Sequence, residues 1–131
     1  MEQSKVLIFL VEDEHLVREL LEHALVDNGF AVETAESGEK AIQMLDATGA
    51  DYRALVTDIN LAPGKITGWD VAKHGREINP DLPVVYMTGS EAQEWASKGV
   101  PNSILVTKPF APAQIVTAVA QLLNLGNTPG A

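Results

Sequence analysis

The chain contains no cysteine, which excludes a disulfide scaffold, a thiolate zinc site, an iron–sulfur cluster and a cysteine nucleophile. It is also poor in positive charge, with nine Lys and Arg against eighteen Asp and Glu and a formal net charge of −9. Nucleic-acid grooves and anionic membrane surfaces are bound through Lys and Arg, so neither is an expected partner. Long hydrophobic runs are missing as well. The apolar run Val6 to Val11 is too short to cross a bilayer and stops at Glu12 and Asp13. No small-residue cleavage site follows it, so it does not read as a secretory signal, and a cytoplasmic location is expected. No internal repeat or low-complexity tract is present. His15, His23 and His74 lack metal-ligand spacing and read as solvated or helix-face residues. Gly64-Lys65 is followed by Ile66 and has no upstream phosphate-loop glycine, so it reads as a flexible loop. No nucleophile elbow with a Ser-His-Asp order is found.

What is present suits one globular domain. The 131 residues are 46% hydrophobic and 21% charged, and a domain of that size buries roughly two-thirds of its unfolded surface. Apolar runs alternate with helical periods along the whole chain. Val6 to Val11 has no polar alternation, as in a strand covered on both faces. Leu16, Val17, Leu20, Leu21, Ala24 and Leu25 form an amphipathic stripe, stopped by Asn28-Gly29. Ala31 to Ala35 is a short strand, and Ser37 is placed to cap a helix carrying Ala41, Ile42 and Leu45.

The second half repeats this rhythm. A third strand runs from Ala54 to Thr57 and ends at Asp58, and a loop with Pro63, Gly64 and Gly68 leads into a helix. That helix turns Val71, Ala72 and Ile78 inward and closes at Asn79-Pro80. Pro83 to Thr88 is a fourth strand, Glu91 to Lys98 a short helix, and Ser103 to Thr107 a fifth strand broken by Lys108-Pro109. A last helix from about Pro112 to Leu125 buries Ile115, Val116, Val119, Leu122 and Leu123. Residues 1–125 thus form the domain, and Gly126 to Ala131 read as a disordered tail. Buried strands alternating with helices imply an α/β fold, a doubly wound parallel sheet with helices on both faces.

Ligands of such sheets bind at the carboxyl ends of the strands. The first strand ends in Glu12-Asp13, the third in Asp58, the fourth in Thr88 and the fifth in Lys108. A parallel sheet gathers all five on one rim. Three carboxylates there repel one another, and a hard cation such as Mg²⁺ relieves that repulsion through oxygen ligands. Asp58 can then stay ionised as a nucleophile, with Thr88 and Lys108 facing the oxygens of an incoming phosphoryl group. Each residue alone has an ordinary reading as a loop, turn or surface group. Their coincidence at successive strand ends is what points to phosphoryl transfer.

The stretches VLIFLVEDE, LVTDINLAPGKITGWDVA, LPVVYMTGS and ILVTKPF resemble the receiver domain of two-component response regulators, from about Lys5 to Leu125. The resemblance implies a flavodoxin-like (βα)5 fold with strand order 2-1-3-4-5. It implies that Glu12 and Asp13 resemble the acidic pair holding Mg²⁺, Asp13 more directly than Glu12, and that Asp58 is the phosphoacceptor. Asn60 would lend a backbone carbonyl to the metal, and Thr88 and Lys108 would contact the phosphoryl group. Lys108-Pro109 resembles the family's cis peptide, which would aim the lysine into the site. Asn60 and Ser90 would tune the lifetime of the phosphoryl group. The implied donor is a sensor histidine kinase or a histidine phosphotransfer protein.

Two departures stand out. The loop from Asp58 to Gly68 is longer than the family's usual spacing by about two residues. Leu105 occupies the position three before the lysine, where the family has Tyr or Phe. That aromatic ring turns inward on phosphorylation, so the departure bears on the switch and not on the chemistry. The chain is expected to be a stand-alone signalling module rather than an enzyme, acting on an output protein through the Glu91 to Leu125 face. A phosphorylation-independent interaction module and a small hydrolase are the competing readings. Asp58-Ile59-Asn60 lacks the second Asp that a haloacid-dehalogenase-type phosphatase carries.

Overall fold

A computed structural model describes residues 5–62, 64–89 and 92–125. Five parallel strands, β1 (Leu7–Val11), β2 (Ala31–Ala35), β3 (Ala54–Asp58), β4 (Val84–Thr88) and β5 (Ser103–Thr107), form one sheet. Their spatial order is β2-β1-β3-β4-β5, so the order reverses between β1 and β3. The helices are α1 (His15–Asp27), α2 (Gly38–Thr48), α3 (Gly68–Ile78), α4 (Trp95–Lys98) and α5 (Pro112–Leu125). Short 3-10 turns at Gly49–Asp51 and Ala92–Glu94 complete the described elements. The tail expected over 126–131 lies outside the described residues, as do Ser90 and Glu91.

The sheet separates two apolar cores, because successive strand side chains point to opposite faces. Phe9 and Val11 join Leu55, Tyr86 and the inner face of α3 on one side. Ile8 and Leu10 join Val56, Val85 and residues of α1 and α5 on the other. All five residues of β3 and of β4 are buried, which explains their unbroken apolar spelling up to Asp58 and Thr88.

Local chemistry fixes the helix ends. The Lys40 amide donates to Ser37 Oγ at 3.0 Å, the expected cap. Gly29 follows α1 at φ 95°, a left-handed conformation that glycine adopts without a side-chain clash. At α3 the Asp70 amide donates to Thr67 Oγ1, and Asp70 accepts from the Thr67 amide, a reciprocal cap.

Three apolar assignments are corrected. Leu16 and Leu20 are 73% and 59% exposed, and Ile78 is also exposed. The buried line of α1 is Leu21 and Leu25 with Val17 beside them. Leu16 and Leu20 each precede a member of that line, and one residue rotates the side chain by about 100°. On α3 the buried residues are Trp69, Val71, Ala72 and Gly75, and Ile78 lies in the last turn beyond the sheet's cover. The short helix before β5 is tighter than expected, a 3-10 turn followed by one α-helical turn. Trp95 there is partly exposed and donates its indole N–H to Ser103 Oγ at 2.9 Å.

Candidate functional site

Glu12 and Asp13 follow β1, and Asp58 closes β3, on either side of the point where strand order reverses. One carboxylate oxygen from each lies within 4.8 Å of the other two. Glu12 is only 1% exposed and Asp58 only 4%, while Asp13 is half-buried. Backbone contacts hold the Glu12 turn in place. The Glu14 amide donates to Glu12 Oε2 at 2.9 Å, and Arg18 Nη1 donates to the Glu12 carbonyl at 2.8 Å. Among the described residues Glu12 Oε1 has no hydrogen-bond partner despite its burial. A buried polar atom without a partner is unfavourable, and an oxygen-seeking cation would supply one.

Lys108 reaches this group from the end of β5. Its Nζ donates to Asp58 Oδ2 at 3.1 Å, and its backbone amide donates to the Thr88 carbonyl at 2.7 Å. Thr88, at the end of β4, is fully buried and sits opposite Thr107 in register. The Lys108-Pro109 peptide is cis. The five sequence-derived rim residues therefore meet. Asn60 lies two residues beyond Asp58 and is exposed on the loop.

The electrostatics follow from burial. Desolvation pushes the Glu12 carboxyl up to about 7, reinforced by the Asp58 charge and opposed by the Glu14 amide and Lys108. Burial also raises Asp58 above the ordinary carboxylate range, while Lys108 pulls it back through its charge and hydrogen bond. For Lys108 burial acts downward, but the Asp58 charge and hydrogen bond outweigh it, and the ammonium is held above its usual value. The site is thus an acidic pocket that one lysine does not neutralise.

The long loop after Asp58 is tied down at both ends. The Gly68 amide donates to the Ile59 carbonyl at 2.8 Å. A Cβ at Gly68 would run into the Asp58 carbonyl oxygen and come within 2.8 Å of Ile59 Cα. Farther along, the Lys65 amide donates to Glu39 Oε2 at 3.2 Å, and Gly38 packs tightly against Ile66. The loop therefore leans on the start of α2.

Sequence reasoning missed several of these supports. Gly68, opening a helix after a loop, was a visible signal for close approach. The Thr67-x-x-Asp70 spacing was a visible capping signal. Tyr86 had no such signal. Its hydroxyl accepts from the Val100 amide at 3.1 Å, and its ring lies 4.8 Å from that of Trp69. Tyr86 also pairs with Leu105 across the β4–β5 ladder, and the two share one core. The two rings of this pair stand on β4 and α3, while β5 contributes leucine.

Fold and rim together define a doubly wound α/β domain with an acidic site at its topological switch point. Residues 8–120 match the response regulator receiver domain family, and the chain belongs to it. That membership puts it in phosphorelay signalling. It is similar to the transcriptional regulatory protein CusR of Escherichia coli K12, at 31% identity over 91% of this chain and 52% of CusR. It is similar also to the response regulator MprA of Mycobacterium bovis BCG, at 30% identity over 91% of this chain and 51% of MprA. The chain spans about half the length of these curated relatives. Among solved structures, a response regulator receiver protein of Sinorhizobium medicae WSM419 superposes with TM-score 0.86 and 48% identity. That alignment covers 92% of this chain and 95% of the other. Among the described residues no helix is long and apolar enough to cross a membrane.

Proposed function

We propose that this chain accepts a phosphoryl group on Asp58 from a sensor histidine kinase or a histidine phosphotransfer protein. The observation that carries the reading is the convergence on Asp58 of Lys108 at 3.1 Å and of the Glu12 and Asp13 carboxylates. In the transfer, an Asp58 oxygen forms a bond to phosphorus as the phosphorus–nitrogen bond of the donor's phosphohistidine breaks. The electron pair of that bond stays on the imidazole nitrogen, which takes up a proton from water. Lys108 and the Thr88 hydroxyl contact the phosphoryl oxygens as their charge spreads. Glu12, Asp13 and Asp58, with the Asn60 carbonyl, are the residues that would hold Mg²⁺, and their charge and hard oxygen donors fit that ion. When bound it supplies positive charge against the phosphoryl oxygens.

The phosphorylated domain then acts by protein contact in the cytoplasm, through the face built from α4, β5 and α5. A phosphorylation-independent interaction module is the second reading, and Leu105 favours it. Intact mass after incubation with acetyl phosphate separates the two. One adduct that requires Mg²⁺, disappears with chelator and is absent from Asp58→Asn is the expected result. An equal adduct on Asp58→Asn would remove Asp58 as acceptor. No adduct, under conditions that label another receiver, would favour the constitutive module.

A further inference from the structure

The rim opposite Asp58 carries a second concave feature. A cavity of about 680 Å³ opens at the amino ends of β3, β4 and β5, against the last turns of α3 and α5. A five-residue strand is about 16 Å long, so this cavity is separated from the Asp58 rim by the length of the sheet's strands. Its volume lies in the range of small-molecule sites.

Its charge is reversed relative to the rest of the molecule. Arg53 and Arg76 both line it, and Asp81 is the one carboxylate among its lining residues. The chain as a whole has twice as many acids as bases. Arg76 is fixed in place, with Nε donating to the Leu82 carbonyl at 2.6 Å and Nη2 to the Asn102 carbonyl at 3.4 Å. A guanidinium has five N–H donors, so the fork keeps donors beyond those two carbonyls. Burial lowers the Arg76 pKa, the mark of a cation that has lost water. Arg53 is exposed, and among the described residues its guanidinium has no hydrogen-bond or ion-pair partner.

The rest of the lining is mixed, with one apolar patch among polar groups. Asn102 turns the chain into β5 at φ 59°, the one non-glycine residue with positive φ among those described. Asparagine tolerates that region better than most residues, and the turn presents its carbonyl to Arg76. Ile104, Leu122 and Leu123 supply apolar surface. A guanidinium fork matches a planar oxyanion, and the patch of Ile104, Leu122 and Leu123 matches a small hydrocarbon body attached to it.

We propose that this cavity binds a small organic carboxylate, with its oxyanion on Arg53 and Arg76 and its apolar body on Ile104, Leu122 and Leu123. The site is independent of phosphoryl uptake at Asp58 and stands or falls separately from it. The test is an amide NMR titration of the full chain with benzoate, compared with acetate, benzyl alcohol and inorganic phosphate. Benzoate should give saturable shifts centred on residues 53, 76, 102–104 and 121–123. Acetate, benzyl alcohol and phosphate should each bind at least tenfold more weakly. Arg53→Gln, a change at an exposed side chain, should weaken benzoate at least tenfold and leave acetyl phosphate labelling of Asp58 unchanged. Arg76→Lys keeps the charge but loses the fork and should weaken it similarly. Shifts centred elsewhere, unaltered affinity in both variants, or acetate or phosphate binding as tightly as benzoate would each overturn the proposal.

Discussion

Replacing Glu12 by Gln should stabilise the metal-free protein at pH 8 and leave it almost unchanged at pH 4. Burial raises the Glu12 carboxyl from 4.5 to about 7. That gap corresponds to about 3 kcal/mol of preference for the neutral form in the folded chain. The sign follows from proton counting. Between pH 4.5 and 7 the folded chain holds a proton that the unfolded chain has released, so stability falls as pH rises. Below 4.5 both states are protonated and nothing is lost; above 7 the full penalty is present. Glutamine cannot ionise, keeps an oxygen to accept from the Glu14 amide, and places its NH₂ where Oε1 lacks a partner. Urea unfolding in chelator at pH 4, 6 and 8 measures the difference between variant and wild type. The advantage of the variant should grow from near zero to about 3 kcal/mol, a midpoint shift on the order of 1–2 M urea. A difference that stays flat across this range, or a wild type that is the more stable at pH 8, would refute the buried-carboxylate account.

Two further substitutions probe the supports of the site. Gly68→Ala drives a Cβ into the Asp58 carbonyl and toward Ile59 Cα, and both obstacles are backbone, so α3 must shift. A loss of roughly 1–3 kcal/mol with severalfold slower labelling of Asp58 is expected, and labelling at the wild-type rate would show that the α3 contact does not position the acceptor. Tyr86→Phe leaves the buried Val100 amide without its acceptor. The expected loss is about 1–3 kcal/mol by urea unfolding, and a change within error would mean that water or a backbone shift satisfies the amide.

The parts of the fold legible in the sequence were those that local pattern determines. Unbroken apolar runs marked β1, β3 and β4 because both their faces are covered, and the polar residue ending each run fell on the rim. The parallel arrangement then brought Glu12, Asp13, Asp58, Thr88 and Lys108 together, as expected. Leu16 and Leu20 were misread because an amphipathic stripe wider than the surface it covers does not say which edge is left out. Asp13 resembled the metal-holding acid more directly than Glu12, yet the fold buries Glu12 and half-exposes Asp13. The Glu14 amide, just before α1, and Arg18 within it hold Glu12, and neither contact is spelled out in the sequence. Tyr86 was hidden for a related reason: its hydroxyl partner is a backbone amide fourteen residues away, and backbone amides leave no trace in a sequence.

The placement of α5 bears on how the chain is made. Ile8 and Leu10 of β1 share a core with Ile115 and Val119 of α5, although about a hundred residues separate them in sequence. At a synthesis rate of about 5–20 residues per second, the first strand waits roughly 5–20 s before the last helix exists. During that interval the face of the sheet that α1 only partly covers remains open to water and to other nascent chains. The opposite face can assemble earlier, since α2, α3 and β3 all precede it off the ribosome. Co-translational folding of this domain is therefore two-sided in time, with one layer able to set while its counterpart awaits the emergence of α5.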